Sequence, residues 1–246
     1  MNLLIAIDDT DSLDSRGTGH LAAALAEEIE TLGWGTVKPV SRHQLYVHKD
    51  IPYTSHNSAM CFPATIGEEH WEALIQLGSR FLEKHSAPGS DPGFCVLDMD
   101  NLQDPDALID YGQRAKKEVL TKEMAYQLAE DLNIHLSEHG GTGQGVVGAL
   151  AGVALRLFGS DGRFRGKHLM GCEDEVWTAA DILHQTTIDK ITDQEGNPIP
   201  TDDKILLGEK VKSVLLDHQS VLLVCPSAPG DEHQWFTCSR DKLSGH

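Results

Sequence analysis

Positive charge is what this sequence most lacks. Twenty Lys and Arg stand against 38 Asp and Glu, a formal net charge of -18 at pH 7. A chain this negative repels phosphate backbones and anionic membrane faces, which argues against broad affinity for either while leaving room for a local basic patch. Cysteine is sparse as well, at five residues: Cys61, Cys95, Cys172, Cys225 and Cys238. None forms a CxxC pair, which excludes a zinc ribbon and a thioredoxin-type motif. The odd, scattered count suits a reducing cytoplasm better than a secreted disulfide framework. No apolar run is long enough to span a bilayer, and the N-terminus reads straight into a strand with no signal peptide. A cytoplasmic protein without membrane association is expected. Internal repeats and low-complexity tracts are absent too. What remains is 246 residues, 40% of them hydrophobic, enough to bury a core in one composite domain or two.

The stretch that organises the chain is Ile5-Ala6-Ile7-Asp8-Asp9-Thr10-Asp11-Ser12. Three carboxylates follow an apolar run of the kind that forms a buried strand. They would sit at the strand's carboxyl end, where open α/β layers commonly place their sites. Neighbouring carboxylates repel one another unless a cation or a donor offsets the charge. Mg²⁺, a hard cation that takes oxygen ligands, answers that need. A solvated acidic turn capping the next helix fits the same residues.

Leu21, Leu25, Ile29 and Leu32 recur at helical spacing, which predicts a helix from about Gly17-Thr18 to a stop at Gly33. Thr36 to Val47 reads as extended structure and Ser58 to Ile66 as a strand, which Pro63 demotes toward a sheet edge. Gly67 to His85 is amphipathic, with Trp71, Leu74, Leu77, Phe81 and Leu82 on one face. A Pro/Gly loop over 87–93 precedes a short strand, Phe94 to Leu97. Strand, helix, strand, strand, helix, strand is the split βαβ order. Two helices follow within 104–133. After Trp177 the texture becomes short β segments and turns, and the residues from Asp231 read as partly disordered. The expected class is α+β: a ferredoxin-like, split βαβ kinase-like core over 1–171 with added helices, and a small β-rich C-terminal extension over 172–246.

His139-Gly140-Gly141-Thr142-Gly143-Gln144-Gly145 is the second distinctive stretch, opening into a helix of small and apolar residues. Glycines before a helix let backbone N–H groups approach an anion, and the helix N-terminus favours negative charge. The loop is neither a Walker A motif nor a dinucleotide fingerprint, and structural turns with close helix packing explain it equally. Three weaker candidates remain. In Tyr53-Thr54-Ser55-His56-Asn57-Ser58, His56 and Asn57 could donate to a phosphate or a base edge, or form a polar turn. His135 and His139 have a spacing that can hold zinc on a helix, although a strand or loop is expected here and a structural role is preferred. Arg163, Arg165 and Lys167 form the densest basic cluster, fit for phosphate oxygens or simply for solvent.

Taken together and in order, Ile7-Asp8-Asp9-Thr10-Asp11-Ser12, Asn57-Ser58-Ala59 and the run from Gly141 to Ala151 resemble the archaeal agmatinylcytidine synthetases that modify an isoleucine tRNA. The resemblance implies an unusual kinase-like domain that binds Mg-ATP and activates the C2 oxygen of a cytidine by phosphorylation, after which agmatine displaces the phosphate. In that family a ferredoxin-like domain lies alongside, and an OB-fold and a zinc ribbon hold the tRNA. By the same resemblance Asp8, Asp9 and Asp11 are metal and catalytic acids. Thr10, Thr18, Asn57, Gly141, Thr142, Gly143, Gln144 and Gly145 then fall at the nucleotide. Thr18 is the nearest counterpart of a threonine that can be phosphorylated in the family, but Gly17-Thr18-Gly19-His20 replaces the family's Thr-Thr doublet.

The sequence departs from the family in lacking ribbon cysteines, in a tail too short for an OB-fold plus a ribbon, and in its net charge. A shortened relative is therefore expected: a Mg-ATP-dependent phosphotransferase or ATPase whose partner besides ATP is a small-molecule or RNA acceptor, without tight direct binding of tRNA. The alternative is a nucleotide-binding module, or a partner in an RNA-modification complex, with no catalysis. For the ATP reading the acidic loop and the glycine loop must meet in space.

Overall fold

The structure is a computed structural model that describes residues 1–12, 14–51, 56–165, 174–239 and 242–243. The chain divides into two compact units, Met1–Phe158 and Gly159–His246. The expected boundary at 171/172 lies outside the described residues.

The first unit runs β1 (Asn2–Asp8), α1 (Thr18–Thr31), β2 (Gly35–Val37), β3 (Ser41–Gln44), β4 (Ser58–Ile66), a short 3-10 turn, α2 (Trp71–His85), β5 (Gly93–Asp98), α3 (Pro105–Ala115), α4 (Lys122–Asp131), β6 (His135–Glu138) and α5 (Gly145–Phe158). Its strands lie in the order β6-β5-β1-β4-β3, with β2 also on β4, and every pair is antiparallel. Hence β1 and β3 point the same way with β4 inserted between them.

Strand alternation decides which helix each side chain meets. Leu3, Ile5 and Ile7 pack with Leu25 and Ile29 of α1 and with Leu74 and Leu82 of α2. Leu4 and Ala6 face the other way, with Leu150 and Val153 of α5 and Leu108 of α3. Truncating any one of these leucines or isoleucines to Ala would cost about 2–5 kcal/mol. The α5 helix is buried nearly all round, as a helix apolar on every face must be. Asp104 and Thr121 cap α3 and α4, each side chain accepting from a first-turn N–H.

One strand reading is corrected. Despite Pro63, β4 is interior, bonded to β1 on one side and to β2 and β3 on the other. A residue's N–H and C=O point to the same side of a strand, and the Pro63 carbonyl accepts the Lys38 N–H, 2.8 Å. The missing proline N–H therefore faces the break between β2 and β3, where no ladder bond is lost.

The second unit holds β7 (Arg163–Phe164), β8 (Val176–Thr178), α6 (Ala179–Gln185), β9 (Lys190–Thr192), β10 (Lys204–Leu206), β11 (Val214–Leu216), β12 (Gln219–Pro226) and β13 (Trp235–Thr237). β12 pairs antiparallel with β11 and β13 and parallel with β9, while β13 runs parallel to β10. Thr178 and Asp181 close a capping box on α6. Within the stretch read as partly disordered, Trp235–Thr237 form strand β13. One expectation fails here. Cys225 and Cys238, expected as free thiols, form a disulfide between β12 and the residue after β13, with Cα atoms 5.8 Å apart. Cys61 and Cys95 are free and buried. Among the described residues no helix is long and apolar enough to cross a membrane.

Candidate functional site

Alternation along β1 carries Asp8 to the α5 side, at the carboxyl end of the strand with a neighbour on each side. There it is 8% exposed. Gly148 of α5 lies against it: a Cβ at that position would stand 1.7 Å from Asp8 Oδ2. Burial first, and then the Asp9 and Asp11 charges, push the Asp8 pKa up to about 8, opposed by the Asp9 N–H. Asp9 turns the chain with a left-handed φ of 50°, a conformation that Asp tolerates better than most residues. Burial, followed by the charges of Asp91 and Asp11, raises its pKa to about 6.

Asp8, Asp9 and Asp11 line one wall of a cleft of about 270 Å³. Gly17, Thr18 and Gly19, the first turn of α1, line it as well, and among the described residues no side chain caps that helix. Its other walls are Asn57, Ser58, Arg42 and His56, and Gln144, Gly145 and Gly148 from the start of α5. Apolar side chains line it too, Leu45, Met60, Ala115, Val119 and Leu120, with Glu118 beside them. Asn57 donates its amide to the Tyr46 carbonyl, 2.6 Å, and Arg42 Nε donates to Ser58 Oγ, 3.0 Å.

Thr10 lies beneath this wall rather than in it. Its N–H donates to Thr18 Oγ1, 3.4 Å, and its buried Oγ1 has no hydrogen-bond partner among the described residues. Gly141, Thr142 and Gly143 also stand outside the cleft lining. Both Thr142 donors, N–H and O–H, go to the Asp91 carboxylate. The Gly143 N–H donates to the Gly140 carbonyl, 3.2 Å, and the Gly145 N–H to the Asp91 carbonyl, 3.1 Å. A Cβ on Gly141 or on Gly143, both left-handed, would stand 1.5 Å from a carboxylate oxygen of Asp91 or of Glu138. Lys122 pairs with Glu138 and donates to the Thr142 carbonyl, 3.1 Å. Asp91 is the residue that sequence reasoning passed over, because it sits in a Pro/Gly loop. The available signal was an acid two residues ahead of a buried strand.

His135 and His139 lie on one face of the strand region around β6, not on a helix. Both Nε2 atoms meet Ser137 Oγ, at 3.0 and 2.9 Å. Among the described residues no three His, Cys, Asp or Glu side chains converge to hold a metal ion. A hard cation at the acidic wall would be held by one or two carboxylates and would complete its shell with phosphate and water oxygens, the usual Mg²⁺ arrangement. The repulsion that raises Asp8 and Asp9 fits such an ion. Tyr53, Thr54, Ser55 and Lys167 lie outside the described residues.

No protein-family model matches the chain. Over 224 residues it is 25% identical to the isoleucine-tRNA 2-agmatinylcytidine synthetase TiaS of Thermococcus sibiricus, covering 85% of this chain and 50% of that protein. The solved complex of TiaS with its tRNA and ATP matches with a TM-score of 0.54 at 26% identity, over 63% of this chain and 36% of that one. The chain is a homologue of TiaS. The TiaS complex with tRNA, AMPCPP and agmatine gives a TM-score of 0.53 at 26% identity, over 62% of this chain and 36% of that one. The chain spans about half the length of the curated TiaS it matches.

Proposed function

We propose that the chain is a Mg-ATP-dependent enzyme of phosphoryl transfer, or of a ligase-like reaction begun by it, related to the kinase-like part of TiaS. The observation that carries this reading is the cleft itself. Asp8, Asp9 and Asp11, mutually repelling and partly desolvated, face the uncapped first turn of α1 and the start of α5 across one space. Acids that need a cation beside helix N-termini that favour anions suit a metal-bound polyphosphate. Bound there, Mg²⁺ would neutralise charge developing on the transferred phosphoryl oxygens. Asp9 and Asp11 would hold the ion. Asp8 is buried enough to keep a proton until the ion arrives. Thr18 and Gln144 face the phosphates, Gly145 lets the backbone come close to them, Asn57 sits beside the nucleoside, and Thr10 supports Thr18. In this reading the split βαβ of the first unit is the ferredoxin-like, kinase-like core, and the β-rich second unit is an added module.

The same homology bears on the acceptor. TiaS is solved with tRNA and agmatine, so the whole-chain charge of -18 is a poor guide to whether an RNA reaches this cleft. A gel shift at near-physiological salt decides it: sub-micromolar tRNA binding, lost on replacing Arg163 and Arg165 with Ala, makes RNA the acceptor, and its absence leaves a small molecule. The central test is calorimetry with ATP. Binding should be tighter with Mg²⁺ than without, and Asp9→Asn should erase most of the difference by removing charge while keeping shape. Equal or no binding in both conditions rejects the proposal. Mg²⁺-dependent binding with no phosphate release over any acceptor leaves a binding module instead of an enzyme.

A further inference from the structure

The Pro/Gly loop over 87–93 touches both distinctive stretches. The Ala87 N–H donates to the Thr10 carbonyl, 2.9 Å, in the acidic loop. Four residues on, the Asp91 carboxylate gathers the N–H and the O–H of Thr142, and the Asp91 carbonyl takes the Gly145 N–H, 3.1 Å, at the first residue of α5. Gly93 then packs backbone to backbone on Gly145, so closely that a Cβ at 93 would stand 2.2 Å from the Gly145 carbonyl carbon. One short segment is thus bonded to the strand end that carries the acids and to the loop that starts α5.

We infer that Asp91 is a positioning residue, the joint through which the 87–93 strap fixes the glycine loop and the first turn of α5 in register with Asp8 and Asp9. This rests on the Mg-nucleotide reading of the cleft. The physical case is one of donors and acceptors. A carboxylate can accept two donors from a single residue at once and so sets both the place and the orientation of Thr142. Gly141 is glycine because the Asp91 oxygen occupies the space a Cβ would take. The loop's glycines therefore serve the approach of a carboxylate from within the chain, and Gln144 is left as the group of this half of the cleft that can face an anion. Asp91 itself does not line the cleft. Apart from the charge it places near Asp9, its effect on a ligand passes through the backbone it holds.

The test uses the full chain and three variants, Asp91→Ala, Asp91→Asn and Thr142→Val, with two readouts: hydrogen exchange over 140–147, and ATP affinity with and without Mg²⁺. Asp91→Ala should speed exchange across that segment while α1 and α2 keep their protection. It should also weaken Mg-ATP binding by roughly tenfold or more, since a displacement of about 1 Å at a site can cost up to a hundredfold. Asp91→Asn keeps an acceptor for the Thr142 N–H and a polar partner for its hydroxyl. It should restore both readouts to within about threefold of the parent, the loss expected of a single neutral hydrogen bond. Thr142→Val, which removes one donor, should fall between. If Asp91→Asn loses Mg²⁺-dependent binding as fully as Asp91→Ala while its loop stays protected, the carboxylate acts as a metal ligand and the inference is overturned. Unchanged exchange over 140–147 in Asp91→Ala also overturns it. If the parent chain binds no ATP, the functional proposal fails on that measurement, and the exchange data still decide whether Asp91 holds the loop.

Discussion

The acidic loop and the glycine loop face the same neighbourhood with opposite economies of hydrogen bonding. The acidic loop brings Asp8, Asp9 and Asp11 to a common cleft, with pKa values pushed up to about 8 and about 6 at the first two. The glycine loop turns the N–H groups of Thr142, Gly143 and Gly145 onto acceptors of its own chain. Half of the site is poised for a ligand and half is already satisfied. A run of glycines before a helix is usually read as a cradle for phosphate. At Gly141 and Gly143 the close approach it permits is that of the chain's own carboxylates.

The contrast breaks most severely at Gly148. Gly148→Ala drives a methyl into the Asp8 carboxylate, and overpacking of this kind costs about 1–3 kcal/mol, more than the roughly 1 kcal/mol that Ala gains over Gly in a helix. Denaturant unfolding should show a net loss. Gly152→Ala on the same helix, whose Cβ would meet Ala59 Cβ at 3.0 Å, should be far milder. Equal losses would mean that Asp8 does not occupy the space assigned to it.

Next in size is the pH dependence. A carboxyl raised in the folded state binds a proton there that the unfolded chain has released, so stability is greatest below the unfolded value of 3.8 and falls as pH rises toward 8 for Asp8. The slope from one such group reaches about 1.4 kcal/mol per pH unit at most. Millimolar Mg²⁺ should therefore raise the thermal midpoint more at pH 8 than at pH 6, and Asp8→Asn should flatten the profile. A midpoint that rises equally at both pH values contradicts a cation at the acidic wall.

A third test sharpens the comparison from the glycine side. Gly143→Ala puts a side chain in a left-handed conformation, at about 1–2 kcal/mol, and crowds Glu138 where it pairs with Lys122. Unfolding measurements should register that loss, whereas the pH profile set by Asp8 should stay as it was. A shifted profile would show that the two loops are one electrostatic unit.

Much of this architecture was legible because it is periodic. The alternation of β1 and the spacing of Leu25 and Ile29 specify a buried strand under an amphipathic helix without reference to anything distant. The acids at the end of β1 were legible for the same reason. What failed or was missed depended on partners far away in sequence. Whether β4 is an edge strand turns on where β2 and β3 break, which Pro63 alone does not disclose. β13 is three residues long and exists through its pairing with β10 and β12. The Cys225–Cys238 bond follows from that pairing, not from the spacing. Asp91 was invisible because its meaning lies in Thr142, across a gap of 51 positions.

The order of the strands also divides the cleft in time. β1 is bonded on both sides, by β4 and β5, so the backbone that carries Asp8 opens only with the sheet as a whole and on the clock of global unfolding. β6 has four residues and, among the described strands of its unit, only β5 as a partner. The glycine loop follows that edge, so its opening needs only local fluctuation, set by the bonds to Asp91 and Lys122 and not by the sheet. The acids are a fixed electrode, and the opposite bank of the cleft is a shore that can shift many times while they stay in place.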